Sequence, residues 1–169
     1  IRAGTLVYTF DILRKSKHLT DLAAMSMIKN LFQMNKALTY AYNFAPDHNH
    51  GTFANRGLMR TTLFLPESAE YEENKRLFTS RWNLQAQYLI NDDGSYRESS
   101  TSYAQTVANS FLGVMEDAEA YGFRLESYFT ERVAKMMEWL GNALLPDDSD
   151  PAFGDSDAST NQVTVLKAI

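Results

Sequence analysis

Three short groups of residues carry side chains suited to chemistry, and each stands where one helical pattern stops and another begins. The first is His48, Asn49, His50 and Gly51, where two of the three histidines meet. The second is the loop of Tyr96, Arg97, Glu98 and Ser99, with Tyr103 just beyond it. The third is Gly154, Asp155, Ser156 and Asp157. At such turns a helical scaffold can aim side chains at a ligand without disturbing its core. Plainer readings stand beside this one. Asp47 or Asn49 could cap the next helix. Tyr103 continues an apolar stripe and reads as core, while Glu98 suits a structural acceptor near a helix start. Asp155 and Asp157 suit Asx turns. Arg56, Arg60 and Arg97 could bind carboxylates, as could any solvated arginine. His48 and His50 with Asp47 could bind zinc, but no recognisable third ligand stands at standard spacing, so no metal site is expected.

The chain that must position these groups has 169 residues, 44% of them hydrophobic, enough for one substantial core and too many for a disordered segment. It has no cysteine, which removes disulfides, thiolate nucleophiles and thiolate metal sites. A net charge of −5 argues against nucleic acid or an anionic membrane as partner, while a basic patch inside a cleft stays compatible with it. No apolar run approaches a membrane span. The opening Ile-Arg-Ala-Gly resembles neither a signal peptide nor an initiation site, so a fragment or processed chain is expected.

Helical periodicity dominates. Leu6, Phe10 and Leu13 predict a helix over 5–15. Thr20 and Asp21 cap a long one reaching about 44, with Ala24, Ile28, Leu31, Leu38 and Tyr42 on one side; Met27, Met34 and Ala41 widen that face, which predicts packing on two sides. A helix over 52–65 carries Ala54, Leu58, Thr61 and Leu65, and Gly57 permits close approach of another backbone. Pro66 ends it, and Ser68 begins a helix burying Tyr71, Phe78, Trp82 and Leu89. After the Asn-Asp-Asp-Gly turn at 91–94, a helix over about 101–121 buries Val107, Phe111, Val114, Ala118 and Tyr121, with Gly122 as left-handed cap. The last, over 126–145, buries Phe129, Val133, Met136, Leu140 and Leu144 before Pro146. Residues 161–169 could be a lone strand or the beginning of another domain. Six closely joined helices should pack as antiparallel hairpins, and alternate junctions of an up-and-down array lie at one end, so the three polar groups could share one mouth.

In order and spacing, Asn49-His50-Gly51, the Gly94-x-Tyr96-x-Glu98-Ser99 loop with Tyr103 about fifty residues after the first turn, and Gly154-Asp155-Ser156-Asp157 resemble the helical domain of the heparinase II/III-like polysaccharide lyases, which include alginate and heparan sulfate lyases. The resemblance runs from about Leu6 to Asp157. It implies an all-α chain whose antiparallel helical hairpins form part of an (α/α) toroid over 1–157, about half of one, with 158–169 leading towards a β-sandwich domain. Lyases of this type cleave uronate-containing polysaccharides by β-elimination: a base removes the C5 proton and the C4–O bond breaks to leave an unsaturated sugar.

The resemblance assigns roles. Tyr103 would take the C5 proton and return one to the leaving oxygen; Asn49 and His50 would donate hydrogen bonds to the developing enediolate. A phenol serves as base only where positive charge favours its phenolate, and Arg97 or His50 would supply it. His48, Arg56, Arg97 and Glu98 would contact substrate. The family completes its site with a histidine or tyrosine from the following domain, outside this chain. No cofactor is expected here, though the β-sandwich domain could hold a structural metal. The expected partners are an acidic polysaccharide and that domain, not nucleic acid or membrane, and the expected location is periplasmic or secreted. An acidic chain fits alginate somewhat better than heavily sulfated heparin. Two other readings stay open: a glycoside hydrolase using Glu98 and Asp155 as paired carboxylates, and a non-catalytic carbohydrate- or protein-binding helical module.

Overall fold

The structure is a computed structural model, and it describes residues 2–147, 149–154 and 156. Six α-helices follow one another: α1 (Arg2–Leu13), α2 (Asp21–Thr39), α3 (Asn49–Phe64), α4 (Tyr71–Leu89), α5 (Thr101–Tyr121) and α6 (Ser127–Ala143), with a 3-10 turn at Ala41–Asn43 between α2 and α3. The described residues contain no strand, only an isolated antiparallel bridge between Ile90 and Tyr96. The chain is all-α, as its periodicity predicts. No described helix is long and apolar enough to cross a membrane. The strand expected within 161–169 lies outside the described residues.

Two compact units share the chain. One joins the residues up to Ala45 with Phe53–Arg81; the other joins Pro46–Thr52 with the residues from Trp82 onward. In the first, α1 packs on α2, and Phe10 meets Phe64 edge-on with ring centres 5.5 Å apart. Leu31, Leu58, Met59 and Phe78 are fully buried. Polar groups are buried with them, in pairs: Asn35 donates to the hydroxyls of Thr61 and Thr62, both at 2.9 Å, and accepts from the Asn74 amide at 2.8 Å. A buried amide costs little once its donors and acceptor are all matched.

Two expectations fail in this unit. The helix expected to reach 44 ends at Thr39, because Tyr40 turns to extended backbone at φ −62°, ψ 137°. The carbonyls left over at the helix end are claimed by side chains: Arg81 donates to Leu38 and Thr39, at 2.7 and 2.8 Å, and Asn43 donates to Ala37 at 2.7 Å. The Arg81 guanidinium also lies over the Phe44 ring, and its burial lowers its pKa. A buried arginine 42 residues beyond Thr39 in sequence therefore sets a helix end that an apolar pattern misplaces. Neither is α2 enclosed on two sides: among its described residues only Leu31 and Asn35 are buried, Leu22 and Met25 face solvent, and Tyr42, expected on the buried side, is 81% exposed. At Gly57 the close approach comes from side chains, since a Cβ there would stand 3.2 Å from Leu38 Cδ1 and 3.6 Å from Ala3 Cβ.

In the second unit α5 packs on α6 around Trp82, Phe111 and Phe129, with ring centres 5.2–6.2 Å apart and Phe111 edge-on to both partners. Val107, Val114, Val133, Met136 and Leu140 complete this core, as their spacing predicts. Gly122 closes α5 in the left-handed conformation, its N–H shared by Ala118 and Glu119. Tyr121, expected on the buried face, is 58% exposed, because the cap turns the chain away one residue later.

Candidate polar site of the second unit

The His-Asn-His segment is not a turn ahead of a helix starting at 52; it is the first turn of α3. His48 makes this so. Its Nδ1 accepts the His50 N–H at 3.1 Å and its carbonyl accepts the Gly51 N–H at 3.0 Å, so one imidazole and one carbonyl satisfy donors that Asp47 or Asn49 could have capped. A neutral His48 in this arrangement carries its proton on Nε2. The two imidazoles lie 4.5 Å apart, tilted by 51°, and both are exposed. Asn49 turns the other way. It is 6% exposed, and its amide oxygen meets no hydrogen-bond partner among the described residues. One turn later the Thr52 hydroxyl accepts from Gln85 of α4 at 2.9 Å, which ties the start of α3 into the second unit.

Tyr103 belongs to the same unit. It is the third residue of α5 and 38% exposed, so the apolar stripe begins at the next turn and the core reading does not hold. Ser100 caps this helix, accepting the Tyr103 N–H at 3.3 Å. Ahead of the cap, Tyr96 is 2% exposed, with a hydroxyl that no described atom meets at hydrogen-bonding geometry. Burial first, and then the Glu98 carboxylate, through its charge and as a nearby acceptor for the phenol, hold Tyr96 well above its ordinary range, with Tyr103 adding to the effect. Tyr96, Glu98 and Tyr103 are thus gathered within electrostatic reach of one another. From sequence Tyr96 reads as a loop residue; the Gly-x-Tyr spacing is the one signal that marks it.

The remaining expected residues are more dispersed. Arg97 is exposed, its N–H bonded to Leu89 O at 3.0 Å and its guanidinium to Tyr88 O at 3.3 Å, so it leans on the end of α4. Glu98 is exposed. Arg56 falls in the first unit, where it lines a pocket of about 250 Å³ with Gly4, Thr5, Phe53, Gly57 and Arg60. Asp155 and Asp157, and with them the paired-carboxylate reading, lie outside the described residues. Among the described residues no three side chains gather as metal ligands, His48, His50 and Asp47 included.

The helical fold has a solved counterpart. The fold matches a heparinase III structure with a TM-score of 0.79, at 20% identity, over 94% of this chain and 24% of that one. This likeness establishes helices of the (α/α) toroid kind. The family follows from the sequence match: residues 1–168 fit the heparinase II/III N-terminus model, and the chain belongs to that family. A curated relative, the heparin-sulfate lyase of Bacteroides stercoris, is 25% identical over 126 residues, covering 73% of this chain. The chain spans about a fifth of that relative's length, 19%.

Proposed function

We propose that this chain is the helical part of a polysaccharide lyase that cleaves a uronate-containing acidic polysaccharide by β-elimination. The observation that supports it most directly is Asn49. A buried carboxamide whose oxygen has no protein partner is costly, and such groups persist where a ligand or water completes them. Here the amide opens a helix, between two exposed imidazoles and in the same compact unit as an exposed phenol.

In this reading the Asn49 oxygen accepts from a sugar hydroxyl or an ordered water, while its NH2 group and the His50 imidazole donate to the uronate carboxyl group and stabilise the enediolate that forms as the C5–H bond breaks. Tyr103 accepts that proton as its phenolate. The electron pair of the C–H bond becomes the C4=C5 double bond, the C4–O bond breaks, and the phenol returns its proton to the departing oxygen. His48 acts mainly through the α3 cap it provides, and Glu98 and Arg97 face the saccharide from the α5 side. The relative named for heparin sulfate supports a substrate of that class ahead of alginate, and a polymer of this kind suits a periplasmic or secreted protein. The test is ultraviolet absorbance of the full-length protein's products on heparan sulfate, alginate, hyaluronan and chondroitin. An unsaturated product that disappears in Tyr103→Phe is expected; cleavage without absorbance would show hydrolysis, and binding without cleavage a non-catalytic module.

A further inference from the structure

The described segment after α6 doubles back onto the opening of α5. Thr101 donates its hydroxyl proton to the carbonyl of Pro151. Gly154 adopts φ +62° and lies so close that a Cβ there would stand 2.9 Å from the carbonyl oxygen of Ser99. Ser99 is itself in the left-handed region at φ +54°, a conformation that a serine keeps only where its surroundings hold it. Beyond these contacts, the Ser156 hydroxyl accepts the N–H of Ser102 at 3.1 Å and lies 2.8 Å from the hydroxyl of Ser100. Ser100 in turn accepts the N–H of Tyr103 at 3.3 Å.

The first N–H groups of a helix have no acceptor within it, and one capping side chain satisfies only part of them. At α5 two hydroxyls divide the task, one local and one delivered from more than fifty residues downstream, and a shared proton joins them. We infer that Ser156 is a positioning residue for Tyr103, fixing the first turn of α5 and with it the direction in which the phenol projects. This rests on the reading of Tyr103 as the proton-transferring group. The phenol oxygen stands at the end of a long rigid side chain, so a tilt of roughly 10–20° in that turn displaces it by about 1 Å, a misplacement that costs about a hundredfold in rate. Ser156 supplies no proton to the substrate; it holds the residue that does.

The experiment compares Ser156→Ala and Ser156→Thr in the full-length protein. Ser156→Ala should lower kcat about tenfold or more with KM nearly unchanged, and Ser156→Thr, which keeps the hydroxyl, should restore most of it. Amide hydrogen exchange gives a readout independent of turnover: the Ser102 and Tyr103 amides should exchange faster in Ser156→Ala, by about tenfold, while those of α6 stay as they were. Unchanged exchange at these two amides overturns the inference, as does wild-type kcat in Ser156→Ala when Tyr103→Phe is inactive. Should the wild-type protein release no unsaturated product, the lyase reading falls, and exchange alone decides whether Ser156 holds this turn. If Ser156→Ala does not fold, Gly154→Ala presses a methyl group onto Ser99 and should reproduce the loss; wild-type kcat there overturns the inference equally.

Discussion

Two buried asparagines show how differently the two units use polar side chains. Asn35 is 8% exposed and Asn49 6% exposed, so water reaches them equally little. Yet Asn35 is bonded at both ends of its amide, to Thr61, Thr62 and Asn74, whereas the oxygen of Asn49 meets nothing among the described residues. The contrast extends to their neighbourhoods. In the first unit Arg81 claims the carbonyls at the end of α2 and Asn55 donates to Phe78 O at 3.0 Å, though the Asn55 oxygen lacks a partner. In the second unit the hydroxyl of Tyr96, both ends of Gln105 and the oxygen of Gln85 are buried and meet no described atom at hydrogen-bonding geometry, beside an apolar aromatic core. Matched polar groups fix a structure; unmatched ones in a dry setting are kept for something the protein alone does not contain.

The largest effect that tests this contrast is catalytic. Tyr103→Phe removes only a hydroxyl from a part-exposed side chain, and should lower kcat on the preferred polysaccharide by about 10²- to 10⁴-fold with unfolding unchanged. Asn49→Ala should follow, with a loss of about 10²- to 10³-fold in kcat, since one donor to the developing negative charge disappears. Its stability should hold or rise, because a buried oxygen without a partner goes with it. A marked stability loss in Asn49→Ala would make this residue a second Asn35 and end the contrast.

Stability predictions come next. Trp82→Ala, at the centre of the ring cluster, should destabilise the second unit by about 3–5 kcal/mol in denaturant unfolding. Asn35→Ala should cost about 1–3 kcal/mol, because Asn74 and two threonines lose their partner, while kcat per folded molecule stays at the wild-type value. A fall in kcat as large as that of Asn49→Ala would show that the first unit's network serves the site.

Sequence alone makes much of this architecture legible, and the failures have a common cause. The helix faces of α4, α5 and α6 follow the 3.6-residue period because each lies on a core of aromatic and branched side chains. What periodicity cannot see is a side chain from elsewhere that decides where a helix ends or begins. Arg81 stops α2 early, His48 starts α3 early, and Ser156 completes α5 from beyond α6. The same blindness covers the site. The types and spacing of Asn49, His50 and Tyr103 mark them, but whether an amide is matched or unmatched is a property of its neighbours. Tyr96 illustrates the point: its burial, which separates it from the exposed loop around it, follows from the bridge to Ile90 and not from composition.

The smallest predicted effect concerns that tyrosine and appears only at alkaline pH. Burial, helped by Glu98 and Tyr103, raises the Tyr96 pKa in the folded protein above the value of about 10 for a free phenol. Below pH about 10 both states keep the proton, and Tyr96 contributes no slope to stability. Above it the unfolded chain gives up the proton while the folded one retains it, so folding stability falls as pH rises. Tyr96→Phe should leave stability at neutral pH nearly as it was, since no described atom meets the lost hydroxyl at hydrogen-bonding geometry, and should flatten the decline between pH about 10 and 12. Urea unfolding of both proteins across that range reads the difference directly. Parallel curves would mean that the hydroxyl is solvated or bonded in solution, which would move Tyr96 out of the second unit's unmatched groups and narrow the comparison to Asn49 and the glutamines.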